Sequence, residues 1–462
     1  MQDKSVLEIS QEDGRRPRSL VTGNISLGML RFAVPMILGN LLQQFYNIAD
    51  TLIVGQFLGA DALAAVGSAY ALMIFLTSVL LGLCMGSGAI FSLQYGAGNK
   101  KALKRSIYVS LVFIGLVALF LNISVFVWID PILQWLRVPV EVYPLIHDYL
   151  WVIFWGIGFT FLYNYYASLL RAIGDSVSPL WFLAIAVVLN IVLDLVFILW
   201  LDWGIRGAAW ATVIAQAVSG IGLCVYSLWR YPDFRFRFED MCLEWTTVKE
   251  IVAYSSLTCV QQSVMNFGIL MVQGLVNSFG TTVMAAFAAA VKIDSFAYMP
   301  VQDFGNAFST FIAQNFGAGC RERVRKGIRV AFLATTLFCI FVSVLVFVFA
   351  RSLMLIFVPV HEKEIISVGV GYLRIEGIFY CGIGYLFLLY GFYRAVRRPG
   401  MSVVLTFLSL GTRVILAYVL AAIPFWGVLG IWWAIPIGWF LADVAGYWYY
   451  CKRKEKIFSV MG

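Results

Sequence analysis

Two pairs of side chains in this sequence could do ion chemistry within an apolar setting. Tyr46 and Asp50 are four residues apart, as are Asn190 and Asp194, so each pair would share one helical face. Tyr149 and Thr212 could complete the set from two further helices. Two carboxyls held together at low dielectric do not both ionise readily, and they titrate as a coupled pair. The Asn190 amide and the Tyr149 phenol can hydrogen-bond either protonation state. Such a set could load a proton on one side and release it on the other. The same oxygens could ligate sodium, a hard cation that takes carboxylate and amide oxygen, with Asp50 and Asp194 as the metal ligands. The residues leave both open. Plainer readings stand beside these. Asp50 could be an interfacial residue, Asn190 with Asp194 a helix–helix hydrogen bond, Thr212 packing, and Tyr46 and Tyr149 belt aromatics. Pro35, fifteen residues before Asp50, frees a carbonyl and bends a helix, which a hinge needs and a packing kink also explains.

These residues do chemistry only if their helices lie in lipid, and the composition says that they do. Of 462 residues, 61% are hydrophobic and 13% charged, about half the charge of a soluble domain. Apolar runs long enough to cross roughly 30 Å of hydrocarbon recur from Leu30 onward. The net charge of +8 sits in short loops, a pattern that fits membrane topology better than a nucleic-acid groove. The eight cysteines are scattered without a CxxC, and the only histidines are His147 and His361, so a disulfide framework and His-rich metal chemistry are excluded. No cleavable signal precedes the first span; the polar start, with Arg15, Arg16 and Arg18, reads as a tail.

Hydropathy places spans at about 28–54, 62–90, 106–129, 145–170, 178–200 and 206–229, then at about 250–276, 283–312, 329–350, 366–393, 402–423 and 427–450. The expected architecture is all-α, with twelve membrane helices in two parallel six-helix repeats around a central cavity. Its parts are a tail (1–26), an amino-terminal lobe (27–229), a linker (230–249) with Arg230, Arg235, Arg237, Asp240 and Glu244, a carboxy-terminal lobe (250–450) and a second tail (451–462). Both tails, the linker and the loops at 95–106, 319–329 and 394–398 are rich in Lys and Arg, whereas the alternate loops hold only Arg137, Arg206, Arg351 and Lys363. Twelve spans with both termini inside satisfy the positive-inside rule in every loop.

The repeat is internal evidence. Leu58 to Val66 matches Phe279 to Phe287, and Gln94-Tyr-Gly-Ala-Gly98 matches Asn315-Phe-Gly-Ala-Gly319 at the same shift; Val138 to Val140 pairs with Val358 to Val360. Further on, Arg171-Ala172 matches Arg394-Ala395 and Trp203 to Gly207 matches Trp426 to Gly430. Six spans per copy give parallel repeats, an arrangement of alternating-access transporters. The acidic pair is not duplicated: Asp50 faces Met271, Asn190 faces Arg413 and Asp194 faces Ala417, which assigns the ion chemistry to the first half.

Depth agrees. At 1.5 Å per residue, Asp50, Asp194, Tyr149 and Thr212 each lie about 8–9 Å from the outer ends of their spans. Among other intramembrane charges, Lys292 with Asp294 reads as an internal pair, with ion binding the alternative, and Glu376 with Arg374 and Arg413 as lining of a second-half cavity, with Glu376 a substrate contact.

With these residues in place, the chain resembles the multidrug and toxic compound extrusion (MATE) transporters from about Leu27 to Tyr450. The resemblance rests on Asp50-Thr-Leu-Ile-Val-Gly55, Leu58-Gly59, Ala64-Ala65-Val66-Gly67, Gln94 to Gly98 with its copy Asn315 to Gly319, Asn190-Ile-Val-Leu-Asp194, and Trp203-Gly204 through Gly207-Ala208-Ala209. It implies efflux of organic cations and amphipathic drugs by a multi-pass protein of a cell membrane, the inner one in a bacterium, driven by H⁺ or Na⁺ with no other cofactor. Residues similar to Pro35, Tyr46, Asp50, Tyr149, Asn190, Asp194 and Thr212 form the family's amino-lobe cation site, with Pro35 in the helix that bends. Asn164 also resembles a family site residue, though it lies nearer the cytoplasmic end. A sodium-coupled branch carries a glutamate where this chain has Met265, which favours coupling at Asp50 and Asp194. The chain is expected to act as a monomer. The alternative is a flippase for lipid-linked saccharide of the same superfamily; nothing resembles an enzyme's catalytic motif or an ATP site.

Overall fold

The structure, a computed structural model, describes residues 20–135, 142–236, 241 and 243–459. The sequence readings on Arg15, Arg16, Arg18, Arg137, Val138 to Val140, Arg237 and Asp240 lie outside these residues. Among the described residues there is no strand, and twelve spans follow one another. The first six are Ile25–Leu58, Ala60–Gly96, Lys100–Val127, Tyr143–Ala172, Val177–Trp200 and Gly204–Arg230. The second six are Trp245–Asn277, Thr281–Gly317, Arg321–Phe357, the pair Lys363–Ile378 with Tyr380–Ala395, Pro399–Ala421 and Gly427–Ser459. The pair is bent by 53° at Phe379.

Several helices run well past the hydropathy boundaries. The second and eighth spans have 37 residues each, about 55 Å at 1.5 Å per residue, against some 30 Å of hydrocarbon. Their polar ends stay helical because backbone hydrogen bonds continue after the apolar signal stops. Hydropathy also missed a seven-residue helix after the third span, Ile129–Trp135. Apolar side chains such as Phe120, Leu337 and Phe341 are exposed along the spans, as lipid solvation requires.

Buried apolar side chains form two cores. One gathers residues of spans two to six, among them Phe91, Phe154, Tyr165 and Leu223; the other gathers the second half around Phe287, Phe308, Tyr372 and Trp432. The division is not strict. Met29, Phe32, Ala33 and Met36 of the first span join the second core, while Val54 at its other end joins the first. The first span therefore crosses between the cores.

The Gln-Tyr-Gly-Ala-Gly motif and its copy acquire a reason here. A Cβ on Gly96 would lie 2.0 Å from the Gln314 carbonyl oxygen, and one on Gly317 would lie 2.0 Å from the Leu93 carbonyl oxygen. The two copies meet backbone to backbone, and only glycine permits that approach. Gln314 reinforces the seam: its Nε2 donates to the Ala172 carbonyl at 2.8 Å, and its Oε1 accepts from the Leu20 N–H at 3.1 Å. Ser87 and Ser255 share a hydrogen bond of 2.8 Å between spans two and seven. The halves are closed on each other at the face carrying the basic loops.

Both expected tails are partly docked at that face. Arg323 donates to the carbonyls of Leu20, Thr22 and Gly23. At the other end the last helix continues to Ser459, with Ile457 and Phe458 buried. The Arg321 guanidinium donates to the Phe458 carbonyl, and Arg325 stacks on the Phe458 ring at 5.2 Å. The start of the carboxy-terminal tail is an anchored helix because Ile457 and Phe458 give it an apolar foot. In the linker, Lys100 pairs with Asp233 at 3.0 Å and Arg105 with Glu244 at 2.6 Å.

Candidate functional site

The helical register brings the first-half polar residues together. Asp50, Asn190, Asp194, Thr212 and Tyr149 are all buried, and Tyr46 is half-buried. Tyr46 donates its hydroxyl to Thr212 Oγ1 at 3.3 Å. Asn190 sits between Thr212 and Asp194. With its amide turned to satisfy both neighbours, Asn190 donates to Asp194 Oδ2 at 2.9 Å, and its oxygen accepts from the Thr212 hydroxyl at 3.3 Å. The Asp50 and Asp194 carboxyls lie close enough to act on each other. Two carboxylates have no hydrogen between them, so a proton or a small cation placed here would relieve their repulsion.

One oxygen of each carboxyl, Oδ1, is buried without a hydrogen-bond partner. Orphaned carboxyl oxygens in a dry site are costly, and these two have room in their bonding for a proton or a cation. Among the described residues, no group of three His, Cys, Asp or Glu side chains could hold a metal ion. A cation here would rest on two carboxyls and neutral oxygens.

A central cavity of about 280 Å³ lies beside this cluster. Tyr46 and Thr212 line it, whereas Asp50, Asn190, Asp194 and Tyr149 do not. The hydrogen-bonded Tyr46–Thr212 pair thus stands between the cavity and the carboxyls. Pro35 lines the cavity inside a helix that remains one run from Ile25 to Leu58. Asn164 lines it too, with its Nδ2 donating to the Thr160 carbonyl of its own helix at 2.8 Å.

The readings of the second half need correction. Glu376 is 1% exposed and does not line the cavity. It is packed instead with Asp294, Tyr372 and Tyr380, with Arg413 in electrostatic reach. Arg374, two residues earlier, faces outward over the Phe347 ring at 5.3 Å. Residues two apart on a helix point in different directions, which separates Arg374 from Glu376. It also separates exposed Lys292 from buried Asp294, so these two are not an internal pair. The second half therefore has a buried acidic pair of its own, built from the eighth and tenth spans. Sequence comparison at equivalent positions could not find it. Met265 packs against the second core.

The reading also missed the polar floor of the cavity. Arg171 and Arg394 line it from the fourth and tenth spans, and Asp303 and Asn306 from the eighth. Asn40 donates to Asp303 Oδ1 at 2.6 Å. Arg394 donates to Asn306 Oδ1 at 2.9 Å and to Ser309 Oγ at 3.4 Å. A signal was present, since Arg171 and Arg394 are copies of one another in the repeat.

Twelve helices in two packed halves around a cavity, with a buried carboxyl pair beside it, define a multi-pass membrane transporter. The MatE family model matches residues 35–196 and 258–419, twice over and at a constant offset of 223 residues. The chain belongs to this family, the MATE transporters. The probable multidrug resistance protein YpnP of Bacillus subtilis is 30% identical over 93% of this chain and 95% of its own length. The FAD transporter of Shewanella oneidensis is 24% identical over 93% of this chain and 95% of its own length. A MOP superfamily transporter from Pyrococcus furiosus superposes with a TM-score of 0.88 at 22% identity, covering 95% of this chain and 98% of that one.

Proposed function

We propose that the protein exports amphipathic compounds by antiport, exchanging them for an inward-moving ion bound at Asp50 and Asp194 as the two halves alternate. The observation that carries the reading is the close approach of those two carboxyls, each with a buried orphan oxygen, and the link from Asp194 through Asn190 to the cavity wall at Thr212 and Tyr46. Of the two ions, the proton fits better. A carboxyl pair in mutual contact is completed by one hydrogen, whereas sodium takes several oxygen ligands and the Asn190 oxygen is already engaged by Thr212. Protonation would lower the pair's negative charge, change what Asn190 and Tyr46 can bond, and so bias the first span.

The drug-resistance names of relatives support small-molecule export, and the FAD transporter extends the range to a nucleotide-bearing solute. The Lys- and Arg-rich face is assigned to the cytoplasm, with both termini there, so the closed seam at Gly96 and Gly317 leaves the cavity for the opposite side. In a bacterium this membrane is the inner one. The unit of transport is one chain.

The test is export in proteoliposomes with a pH gradient and a sodium gradient imposed separately, using ethidium and a zwitterionic fluoroquinolone. Export driven by the pH gradient and abolished by Asp50→Asn, in protein that still inserts and purifies, supports the reading. Wild-type export by Asp50→Asn refutes it. Export that follows sodium alone moves the chemistry to cation ligation at the same carboxyls.

A further inference from the structure

The cavity's own charges point away from a purely cation-selective site. Its ionisable lining consists of two guanidiniums, Arg171 and Arg394, against one carboxylate, Asp303. The carboxylate already accepts a 2.6 Å hydrogen bond from Asn40. Arg394 is 6% exposed and bonded only to the neutral side chains of Asn306 and Ser309. The Arg171 Nε is buried without a hydrogen-bond partner. Among the described residues, neither arginine forms an ion pair.

The Arg394 guanidinium is kept out of water on neutral partners alone, which is costly, whereas half-buried Arg171 has Asp303 within electrostatic reach and its Nε still unpartnered. Arginine's planar fork is also the donor best matched to carboxylate, phosphate or sulfonate. The acidic pair cannot serve as a counter-ion. Arg171 lies 22 residues beyond Tyr149 on the fourth span, about 33 Å along a straight helix. Arg171 and the ion-coupling carboxyls therefore occupy opposite ends of the first half, with Arg394 beside the Arg171 end from the second half, and an anion at one end can be held independently of a proton at the other. Between them the wall is apolar or neutral, with Met36, Leu81, Met85 and Leu183, which suits a ring system.

We infer that the cavity floor at Arg171 and Arg394 is an anion subsite, and that the substrates of this transporter include amphiphiles bearing a carboxylate, phosphate or sulfonate group. This rests on the proposed export through the same cavity but not on how export is driven. The two arginines are repeat copies, so the subsite straddles both halves, and a bound anion would bridge them.

The experiment is equilibrium dialysis against purified protein in nanodiscs of zwitterionic lipid, with empty discs subtracted and no gradient imposed. Two probe pairs differ mainly in charge: riboflavin 5′-phosphate against riboflavin, and carboxyfluorescein against rhodamine 123. The anionic member of each pair should bind about tenfold tighter or more, the worth of one charge-assisted contact. Arg171→Gln with Arg394→Gln should erase that preference, Arg171→Lys with Arg394→Lys should keep most of it, and Asp303→Asn should sharpen it. The lysine double variant and gel-filtration profiles separate lost charge from lost fold. Adding an anionic phospholipid to the discs distinguishes the source. Displacement of the soluble anions assigns the subsite to lipid headgroups, and unchanged binding assigns it to water-borne amphiphiles.

Tighter binding of rhodamine 123, no binding of either anion, or a preference that survives the glutamine variants overturns the inference. The gradient experiment has a separate outcome. A pump that needs Asp50 but prefers cations refutes only the anion subsite. Anion binding without ion-driven export refutes only the coupling.

Discussion

Replacing Gly96 with alanine should push the two halves apart at the basic-loop face. The added Cβ would sit 2.0 Å from the Gln314 carbonyl oxygen and 2.6 Å from its carbonyl carbon, and both are backbone atoms that cannot rotate away. Ordinary contact begins at 3.4 Å, so the second and eighth spans must separate locally by the difference, about 1.4 Å. That movement stretches the 2.8 Å bond from Gln314 to the Ala172 carbonyl beyond hydrogen-bonding range and strains the 2.8 Å bond between Ser87 and Ser255. At about 1 kcal/mol net for each bond, the closed seam loses roughly 2 kcal/mol, which moves the equilibrium between closed and open about thirtyfold. Spin labels on exposed Lys101→Cys and Lys326→Cys, in a chain whose native cysteines are replaced, report the separation across this face directly. The expected result is a depleted short-distance population, slower export, and the same pattern in Gly317→Ala, whose Cβ meets the Leu93 carbonyl oxygen at 2.0 Å. A Gly96→Ala protein with the wild-type distance distribution and wild-type export would show that this seam is not part of the working cycle.

Asn190→Leu leaves the Asp194 carboxyl and the Thr212 hydroxyl without their shared amide; at about 1–3 kcal/mol for each unsatisfied group, it should abolish ion-driven export and lower thermal stability together, read by a melting curve beside the transport assay. Tyr46→Phe removes only the 3.3 Å bond to Thr212, worth about 1 kcal/mol; export should persist with a changed pH profile, and an unchanged profile would argue against a partition between cavity and carboxyls. Phe458→Ala empties a site that is 1% exposed, at about 3 kcal/mol; the melting temperature should fall while substrate binding to the folded protein stays at the wild-type level.

The class of the molecule was legible in the sequence because lipid imposes so strong a constraint. Every span must be apolar and internally hydrogen-bonded, so hydropathy alone finds twelve helices, loop charge orients them, and the repeat at Gln94 to Gly98 and Asn315 to Gly319 shows the duplication. The first-half cluster was legible for a related reason. Tyr46 with Asp50 and Asn190 with Asp194 share faces by helical periodicity, and carboxylates in lipid are too costly to be incidental. Tertiary packing decided what periodicity does not encode, which is the face a span turns to its neighbours. It placed Glu376 with Asp294 in a closed cluster, turned Arg374 outward onto Phe347, and set Arg171 and Arg394 on the floor of one cavity from helices more than 200 residues apart in the chain. A single charged residue within a span fixes only that something must compensate it. Which group does so is settled when the helices rotate against one another, and that rotation is set by the packing of all twelve together.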